Sequence, residues 1–345
     1  MKKVVWRGRF EGMGATIVST NTYPLAANLA GIPCKVNPIG RIYTNDMLNK
    51  LLATQEDLDE SYIILQSKHP EIDNGVHGHF LNFDFTWLDQ ETIDAVWKDS
   101  KVIMVHTEFQ KKILEEIGLS NIHVVNFPIT PNFCVDGKKL EWMDVEPQMI
   151  FGSVFKWDMV KRPQLMWKAF IEEFPLKEYP NVYFINRITI PEGFVNWKDL
   201  YSRYTTDDPR IYNMPQMIPE ISNFYRALDC YCAPCATEGF NATLLEAMAC
   251  GTPVIGSRDG GNLDFMNDEN SFLVEVGEWE KILKSQIVGW KLPLVSSIRE
   301  QMRKVYTLKI KGNLKKNRKA AKEISKRYQI TKISSQLQQA LSSLL

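Results

Sequence analysis

Short apolar runs alternate with longer stretches in which apolar residues recur at helical spacing. Nine short runs indicate strands, namely Lys3–Trp6, Tyr62–Leu65, Val102–Val105, His123–Phe127, Met149–Val154, Val182–Ile185, Cys230–Ala233, Pro253–Ile255 and Phe272–Val276. Helical spacing is clearest in Glu108–Ile117, Gln164–Glu173, Glu220–Ala227 and Thr243–Ala249. Continuously apolar strands that alternate with helices are typical of parallel sheets buried on both faces. The pattern therefore predicts an α/β, doubly wound architecture.

The length of 345 residues predicts two domains. A linker fits best within Pro128–Pro147, which contains three prolines, one glycine and no long apolar run. We therefore expect an N-terminal domain over residues 1–135, a C-terminal domain over 145–320, and a helical segment over 321–345 that crosses back to the first domain. Ligands of open α/β sheets bind beyond the carboxyl ends of the strands, so the two halves are expected to face each other across a ligand cleft.

Composition narrows the class of protein further. Hydrophobic residues make up 44% of the chain and charged residues 24%, which excludes global disorder. The 41 basic residues balance the 41 acidic ones, so nothing in the net charge points to nucleic acid. No signal sequence or apolar run of spanning length is evident, and the six cysteines are expected to be reduced thiols in a cytoplasmic protein.

Basic charge is concentrated near the end of the chain. Residues 303–332 contain twelve Lys or Arg and only one acidic residue, a local net charge of +11. Ala321, Ile324 and Tyr328 recur there at helical spacing. Two interpretations stay open: a docked terminal helix with a solvated lysine face, or a basic surface that contacts anionic lipid on the inner membrane face or a polyanionic acceptor.

The most informative segment is residues 229–265, DCYCAPCATEGFNATLLEAMACGTPVIGSRDGGNLDF. A buried strand leads through a loop with Gly239 into a helix, for which Asn241 is a good N-cap and Gly251 a stop signal. The first free amides of that helix, around Ala242 and Thr243, would form an anion site suited to a phosphate. In the same segment Cys232 and Cys235 form a C-x-x-C, which we interpret as buried thiols because no second ligand pair stands at zinc spacing.

Two carboxylates flank this predicted anion site. Glu238 precedes the helix and Glu246 lies just over one turn inside it. They could accept hydrogen bonds from hydroxyl groups on two sides of one phosphate, such as a sugar and a ribose. Spacing alone equally allows a solvated loop glutamate and a surface helix glutamate.

The same residues resemble the signature of the retaining glycosyltransferases of family 4, the group 1 glycosyltransferases. The resemblance rests on Glu238-Gly239-Phe240-Asn241, on Glu246-Ala247-Met248-Ala249-Cys250-Gly251-Thr252-Pro253-Val254-Ile255, and on Gly260-Gly261 with Asp264. It extends to the segments Val105–Val125, Phe151–Phe170 and Arg299–Leu345, and it is weakest over residues 1–100.

The resemblance implies a GT-B fold, which consists of two Rossmann-like domains, and the retaining transfer of a sugar from a UDP-, GDP- or ADP-sugar to a hydroxyl group of a glycan or lipid-linked acceptor. By the same resemblance Glu246 would hold the ribose and Glu238 the hydroxyls of the sugar. Gly239 and the amides of Phe240, Asn241, Ala242 and Thr243 would meet the sugar and the pyrophosphate, and Lys161 would neutralise the departing diphosphate. No metal or other cofactor is expected.

The sequence departs from the family pattern at two positions. Ser153 stands where an arginine normally assists the lysine, and Lys156 is either its substitute or an exposed loop lysine. Asn241 replaces the second glycine of the motif. These departures leave open a non-catalytic nucleotide-sugar-binding module and a GT-B sugar-nucleotide epimerase as alternatives to a transferase.

The N-terminal half offers weaker signals. Gly14 follows the first strand and resembles the glycine loop that lies beside the donor phosphates in the family. His79 is the preferred cleft histidine, with Asp84 nearby, in a loop expected before residues 80–87. A solvated or capping role for His79 is the alternative.

Overall fold

The computed structural model describes residues 3–10, 15–39, 46–67, 76–81, 93, 100–141, 147–156, 160–189, 207–214, 218–280, 289–342 and 344. The chain forms two compact units. Unit 1 contains Met1–Thr130 and Lys326–Leu345, and unit 2 contains Pro131–Glu280 and Trp290–Ser325.

Unit 1 is built on a six-stranded parallel sheet. Its strands are β1 (Val4–Gly8), β2 (Cys34–Pro38), β3 (Tyr62–Ser67), β4 (Val76–Leu81), β5 (Val102–Val105) and β6 (Ile122–Val124). They are arranged in the order β2-β1-β3-β4-β5-β6, and every neighbouring pair is parallel. The helices of its N-terminal part are α1 (Ala15–Leu29), α2 (Asp46–Asn49), α3 (Gln55–Glu60) and α4 (Glu108–Glu116).

Unit 2 has a second six-stranded parallel sheet. Its strands are β7 (Met149–Lys156), β8 (Val182–Thr189), β9 (Ile211–Met214), β10 (Cys230–Cys232), β11 (Val254–Ser257) and β12 (Phe272–Val274). An antiparallel hairpin follows, made of β13 (Val276–Glu280) and β14 (Trp290–Pro293). The helices after β7 are α5 (Pro163–Glu173), α6 (Ile221–Ala227), α7 (Ala242–Ala249), α8 (Val295–Ile310), α9 (Arg318–Arg327) and α10 (Ile330–Leu341), of which α10 belongs to unit 1.

The strand order of unit 2 fixes where a ligand is expected to bind. The order is β12-β11-β10-β7-β8-β9, the arrangement of a doubly wound nucleotide-binding sheet. The direction of winding changes between β7 and β10, so the loops after these two strands leave the sheet on opposite faces. Such a switch point is the usual ligand site of an open parallel sheet.

The end of the chain is part of the core of unit 1. Helix α10 packs against α1, and the buried side chains of Ile333, Leu337 and Leu341 join the cluster that contains Trp6. Each fully buried leucine or isoleucine contributes about 1.5–3 kcal/mol to the burial free energy. The predicted apolar stripe is confirmed as well, since Ala321, Ile324 and Tyr328 are buried.

The two parallel sheets confirm the predicted α/β doubly wound class, and all nine predicted strands are present with ends that shift by up to four residues. One expectation was wrong, because His79 lies inside strand β4, together with His77, rather than in a loop. The reason is Gly78, at which a Cβ atom would lie 2.4 Å from a methyl group of Val102. A strand with two histidines and a glycine lacks an apolar pattern, yet glycine lets it pair closely with β5.

Within the described residues, no helix has both the length and the apolar character needed to cross a membrane.

Candidate functional site

The candidate site is formed in unit 2 where strands β7 and β10 end. These strands are hydrogen-bonded neighbours, with Cys230 opposite Phe151 in the register. Lys161 follows β7, and β10 leads through residues 233–241 into helix α7. Residues that are far apart in sequence therefore meet at the switch point of the sheet.

Asn241 begins helix α7 with a left-handed backbone, at φ 62° and ψ 68°. It stands at the N-cap as predicted, but its side chain makes no capping hydrogen bond. Instead the amide contacts Ala233 O at 3.5 Å and Cys235 Sγ at 3.4 Å, and its Oδ1 accepts a hydrogen bond from Thr243 Oγ1 at 2.9 Å. The left-handed conformation explains the residue at this position, because glycine and asparagine are the residues that adopt it most readily.

Because Asn241 does not cap the helix, the first amides of α7 stay available. An α-helix leaves its first amides without intrahelical partners. In the described part of the chain, the amides of Ala242 and Thr243 donate no hydrogen bond. The side chains of Phe240 and Ala242 are buried, so this turn presents its backbone rather than apolar surface. The arrangement has the partial positive charge that favours an anion.

Two glycines hold the backbone of Glu238 in place. Gly261 N donates a hydrogen bond to Glu238 O at 2.9 Å. Gly260 has φ +85°, and a Cβ atom at this position would lie 2.6 Å from the same carbonyl oxygen. Only glycine allows both the conformation and the close approach. Asp264 ends the 3-10 turn Gly261–Asp264 that follows.

Lys161 and Glu238 form an ion pair. Lys161 Nζ lies 2.5 Å from Glu238 Oε1, and the two side chains are only 15% and 16% exposed. The other carboxylate oxygen, Oε2, is buried and accepts no hydrogen bond from the described residues. A buried acceptor without a donor costs free energy until a ligand hydroxyl or a water supplies one. The structure thus brings these two predicted residues together and leaves one oxygen ready to accept.

The carboxylate of Glu246 accepts a hydrogen bond from a residue of helix α6. Tyr225 Oη donates a hydrogen bond to Glu246 Oε2 at 2.7 Å. Burial raises the pKa of Glu246 from 4.5 to about 7, and the hydrogen bond from Tyr225 offsets only part of this effect. Near neutral pH the carboxyl group is therefore divided between its protonated and ionised forms.

Other predicted residues lie elsewhere. Lys156 is exposed at the last position of β7, and Ser153 is buried within that strand. His79 is buried in β4 of unit 1, where its Nδ1 lies 2.5 Å from Ser100 Oγ. Gly14 and Asp84 lie outside the described residues. The structure brings Glu238, Lys161 and the Gly239–Thr243 turn together. Among the described residues, Lys156 forms no hydrogen bond with this group.

Sequence reasoning missed a polar cluster beside Glu238. Thr237 Oγ1 donates a hydrogen bond to Asp259 Oδ2 at 2.6 Å and accepts one from Lys291 N at 2.9 Å. Lys291 Nζ pairs with Asp259 Oδ1 at 3.2 Å. The hairpin β13–β14 is thereby tied to the loop that carries Glu238. No spacing rule could have identified these partners, because they are 22 to 54 residues apart.

Sequence reasoning also missed Tyr225 and Arg162. Tyr225 lies in a helix that was predicted, but its contact with Glu246 depends on how α6 packs against α7. Arg162 follows Lys161 with φ 42°, and its guanidinium lies 5.6 Å from the ring centre of Trp290. The three cysteines Cys230, Cys232 and Cys235 are buried as expected, and all six cysteines are free thiols.

The two Rossmann-like units and the helix N-terminus flanked by carboxylates define the class of protein, a GT-B fold. Solved structures share this fold over the full chain. Sucrose-phosphate synthase from Thermosynechococcus elongatus has a TM-score of 0.71 at 13% identity, covering 100% of this chain and 99% of its own. Anabaena Alr3699/HepE in complex with UDP has a TM-score of 0.66 at 14% identity, covering 99% and 100%. WaaG, a glycosyltransferase of lipopolysaccharide biosynthesis, has a TM-score of 0.65 at 13% identity, covering 98% and 99%.

Sequence comparison adds a match to one family over part of the chain. Residues 212–286 match the model of the glycosyl transferases group 1. A D-inositol 3-phosphate glycosyltransferase of Arthrobacter sp. strain FB24 is 33% identical over 92 residues, which cover 26% of this chain and 22% of the relative. An uncharacterised glycosyltransferase of Haemophilus influenzae is 24% identical over 194 residues, covering 55% and 51%. These alignments span about a fifth and about half of the relatives' lengths.

Proposed function

We propose that the protein is a retaining glycosyltransferase that moves a sugar from a nucleotide-sugar to a hydroxyl group of a glycan or lipid-linked acceptor. The observation that carries the proposal is the assembly of Lys161, Glu238 and the open amides of helix α7 at the switch point of unit 2. The group 1 match over residues 212–286 supports the same function. So does the fact that structural neighbours were solved with UDP and with UDP-glucose.

Each group has a role in this mechanism. Glu246 accepts hydrogen bonds from the ribose of the donor, and Glu238 accepts them from the hydroxyls of the transferred sugar. The amides of the turn at Phe240–Thr243 bind the pyrophosphate, and Lys161 stabilises the negative charge that grows on the departing diphosphate. The ion pair with Glu238 holds the ammonium group of Lys161 beside the place where that charge would develop.

The acceptor hydroxyl attacks the anomeric carbon from the face that the diphosphate leaves. The bond between that carbon and the diphosphate breaks, the new glycosidic bond forms, and the hydroxyl proton passes to the departing phosphate oxygen. The proposed reaction uses no metal ion, so it should proceed in EDTA.

The basic segment, residues 303–332, indicates where the protein would meet its proposed acceptor. Several of its cations already have partners, because Arg303, Lys309 and Arg318 pair with carboxylates and Lys316 donates a hydrogen bond to Thr252. On helix α9, Lys319, Lys322 and Lys326 are exposed while Ala320 and Ile324 are buried. The apolar face of this helix is already packed, so we propose a purely electrostatic contact with anionic lipid on the cytoplasmic membrane face.

The test incubates the protein with UDP-, GDP- and ADP-sugars, with and without glycan and lipid acceptors, and measures the release of nucleoside diphosphate. Acceptor-dependent release supports the proposal. Donor binding without release under all conditions would show a binding module, and isomerisation of the donor without an acceptor would show an epimerase. Glu246→Ala should lose donor binding, while Glu269→Ala, a change at an exposed glutamate, serves as the matched control.

A further inference from the structure

Tyr225 makes two hydrogen bonds to helix α7 and the loop that follows it, one through its side chain and one through its backbone. Its hydroxyl donates a hydrogen bond to Glu246 Oε2 at 2.7 Å. Its backbone carbonyl accepts one from Thr252 Oγ1, just after the same helix, at 2.7 Å. One residue of α6 therefore bridges a side chain within α7 and a residue in the loop that follows that helix.

The ring of Tyr225 has little freedom to move. The residue is 0% exposed. Its ring meets that of Tyr231 edge-on, with a centroid distance of 5.3 Å, and it also contacts Phe224 and Phe133. Tyr231 is itself anchored, because its hydroxyl donates to Val154 O at 3.1 Å. A rigid donor of this kind holds its acceptor in one orientation.

The hydrogen bond leaves half of the Glu246 carboxylate unused. Tyr225 occupies Oε2, and in the described part of the chain Oε1 accepts no hydrogen bond. Burial keeps the pKa of the Tyr225 phenol well above its usual value, so the proton stays on the tyrosine and the carboxylate is the acceptor.

We propose that Tyr225 is a positioning residue, which holds the Glu246 carboxylate in one rotamer so that Oε1 faces the hydroxyls of the nucleotide ribose. The inference rests on the proposed function, because the ribose is the ligand assigned to Glu246. Tyr225 acts through Glu246 and does not itself touch the donor. Neither the family pattern nor the spacing of the motif assigns this residue a role.

The proposal makes a specific prediction about pH. The hydrogen bond favours the ionised form of Glu246, so its loss should make the carboxyl group easier to protonate. Among the described residues, the thiol of Cys250, just past the end of the same helix, also interacts with Glu246, and burial raises the pKa of this thiol to about 12. Below that value the thiol is neutral and does not contribute to a change in binding between pH 5.5 and 8.5. The terminal phosphate of UDP titrates in the same range, so Glu246 is reported by the difference between the pH profiles of the wild type and of Glu246→Ala.

The experiment measures the dissociation constant of UDP by calorimetry from pH 5.5 to 8.5 for the wild type and for Tyr225→Phe. Binding by the wild type should weaken as the pH falls through about 7. Tyr225→Phe should bind about tenfold more weakly at pH 7, with its acid limb moved to higher pH by about one unit. Glu246→Ala should bind weakly at every pH, and adding Tyr225→Phe to it should cause no further loss, because alanine leaves Tyr225 no group to hold.

The controls separate a positioning role from a loss of packing. Tyr23→Phe removes another buried tyrosine hydroxyl, one that donates to Asn126 O in unit 1, and it should leave UDP binding and its pH profile unchanged. An equal loss of affinity at every pH in Tyr225→Phe, without a shift of the acid limb, would overturn the proposal. So would a second loss when Tyr225→Phe is added to Glu246→Ala.

A ligand-free readout distinguishes failure of this inference from failure of the proposed function. The pH dependence of unfolding reports the pKa of Glu246 without any donor. The wild type is compared with Glu246→Gln. In the same way, Tyr225→Phe is compared with the double variant that carries Tyr225→Phe and Glu246→Gln. If Tyr225→Phe shifts this profile but the wild type binds no UDP, GDP or ADP, the assignment to the ribose is wrong. If the wild type binds a nucleotide and the profile does not shift, the role of Tyr225 is wrong.

Discussion

Replacing Glu246 with glutamine should stabilise the folded protein at neutral and higher pH. Glu246 is half-buried, and the loss of hydration raises the pKa of its carboxyl group from 4.5 to about 7 in the folded state. Between these two values the folded protein binds a proton that the unfolded chain does not. Its stability therefore falls as the pH rises from about 4.5 to about 7.

The size of the effect follows from the shift. Each pH unit corresponds to about 1.4 kcal/mol, so a rise from 4.5 to about 7 costs about 3 kcal/mol of folding free energy once the carboxyl group is fully ionised. Glutamine carries no charge to desolvate, and its side-chain oxygen can still accept the hydrogen bond from Tyr225. Glu246→Gln should thus be about 3 kcal/mol more stable than the wild type at pH 8, and nearly equal to it at pH 4.5.

The assay is thermal and denaturant unfolding of both proteins at pH 5, 6, 7 and 8. For a unit of this size the expected gain at pH 8 is about 6–12 °C in Tm. Glu269→Gln, a change at an exposed glutamate, is the matched control and should show no pH-dependent difference. A difference between Glu246→Gln and the wild type that stays constant from pH 5 to 8 would refute the reasoning, as would destabilisation at pH 8.

Three further predictions concern the same unit and the basic segment. Asn241→Ala should lose about 1 kcal/mol more stability than Asn241→Gly in denaturant unfolding, because φ 62° is costly for alanine and free for glycine; equal losses would contradict this. Lys161→Met should destabilise by about 3 kcal/mol because it leaves the largely buried Glu238 carboxylate without its cation, and Lys161→Met with Glu238→Gln should recover most of that loss in the same measurement. Wild type should sediment with anionic vesicles at low salt and release at high salt, whereas the triple variant with Lys319, Lys322 and Lys326 changed to Glu should stay in the supernatant; sedimentation of that variant would exclude helix α9 as the contact.

The fold was predictable because its signals are local. Continuous apolar runs such as Val102–Val105 are typical of strands buried on both faces, and the helical spacing of residues 108–117 marks α4 almost to the residue. Strand β4 was not predicted because a histidine, a glycine and a second histidine interrupt its apolar pattern. Strand β2 was not predicted for a related reason, since only two of its five side chains are buried.

The site was predictable only as far as the motif reaches. Glu238, Glu246 and the turn at Gly239–Thr243 lie in one stretch of chain, so their residue types and spacing carry the information. Tyr225 and Lys291 act on that stretch from other elements, through hydrogen bonds to Glu246 Oε2 and Thr237 Oγ1. Those contacts depend on how α6 and the β13–β14 hairpin pack, which no pattern along the chain encodes.

The two departures from the family pattern differ in physical meaning. Asn241 keeps the left-handed backbone that glycine would supply, so the replacement preserves the shape of the turn and adds a side chain that holds Cys235 and Thr243. Ser153 is 1% exposed within β7, and its buried hydroxyl forms no hydrogen bond with the described residues. Ser153 therefore supplies no positive charge, and its hydroxyl makes no hydrogen bond with the described residues. In the proposed reaction the charge of the leaving diphosphate therefore falls to Lys161 and the helix amides, which makes Lys161 the residue whose loss should cost the most turnover.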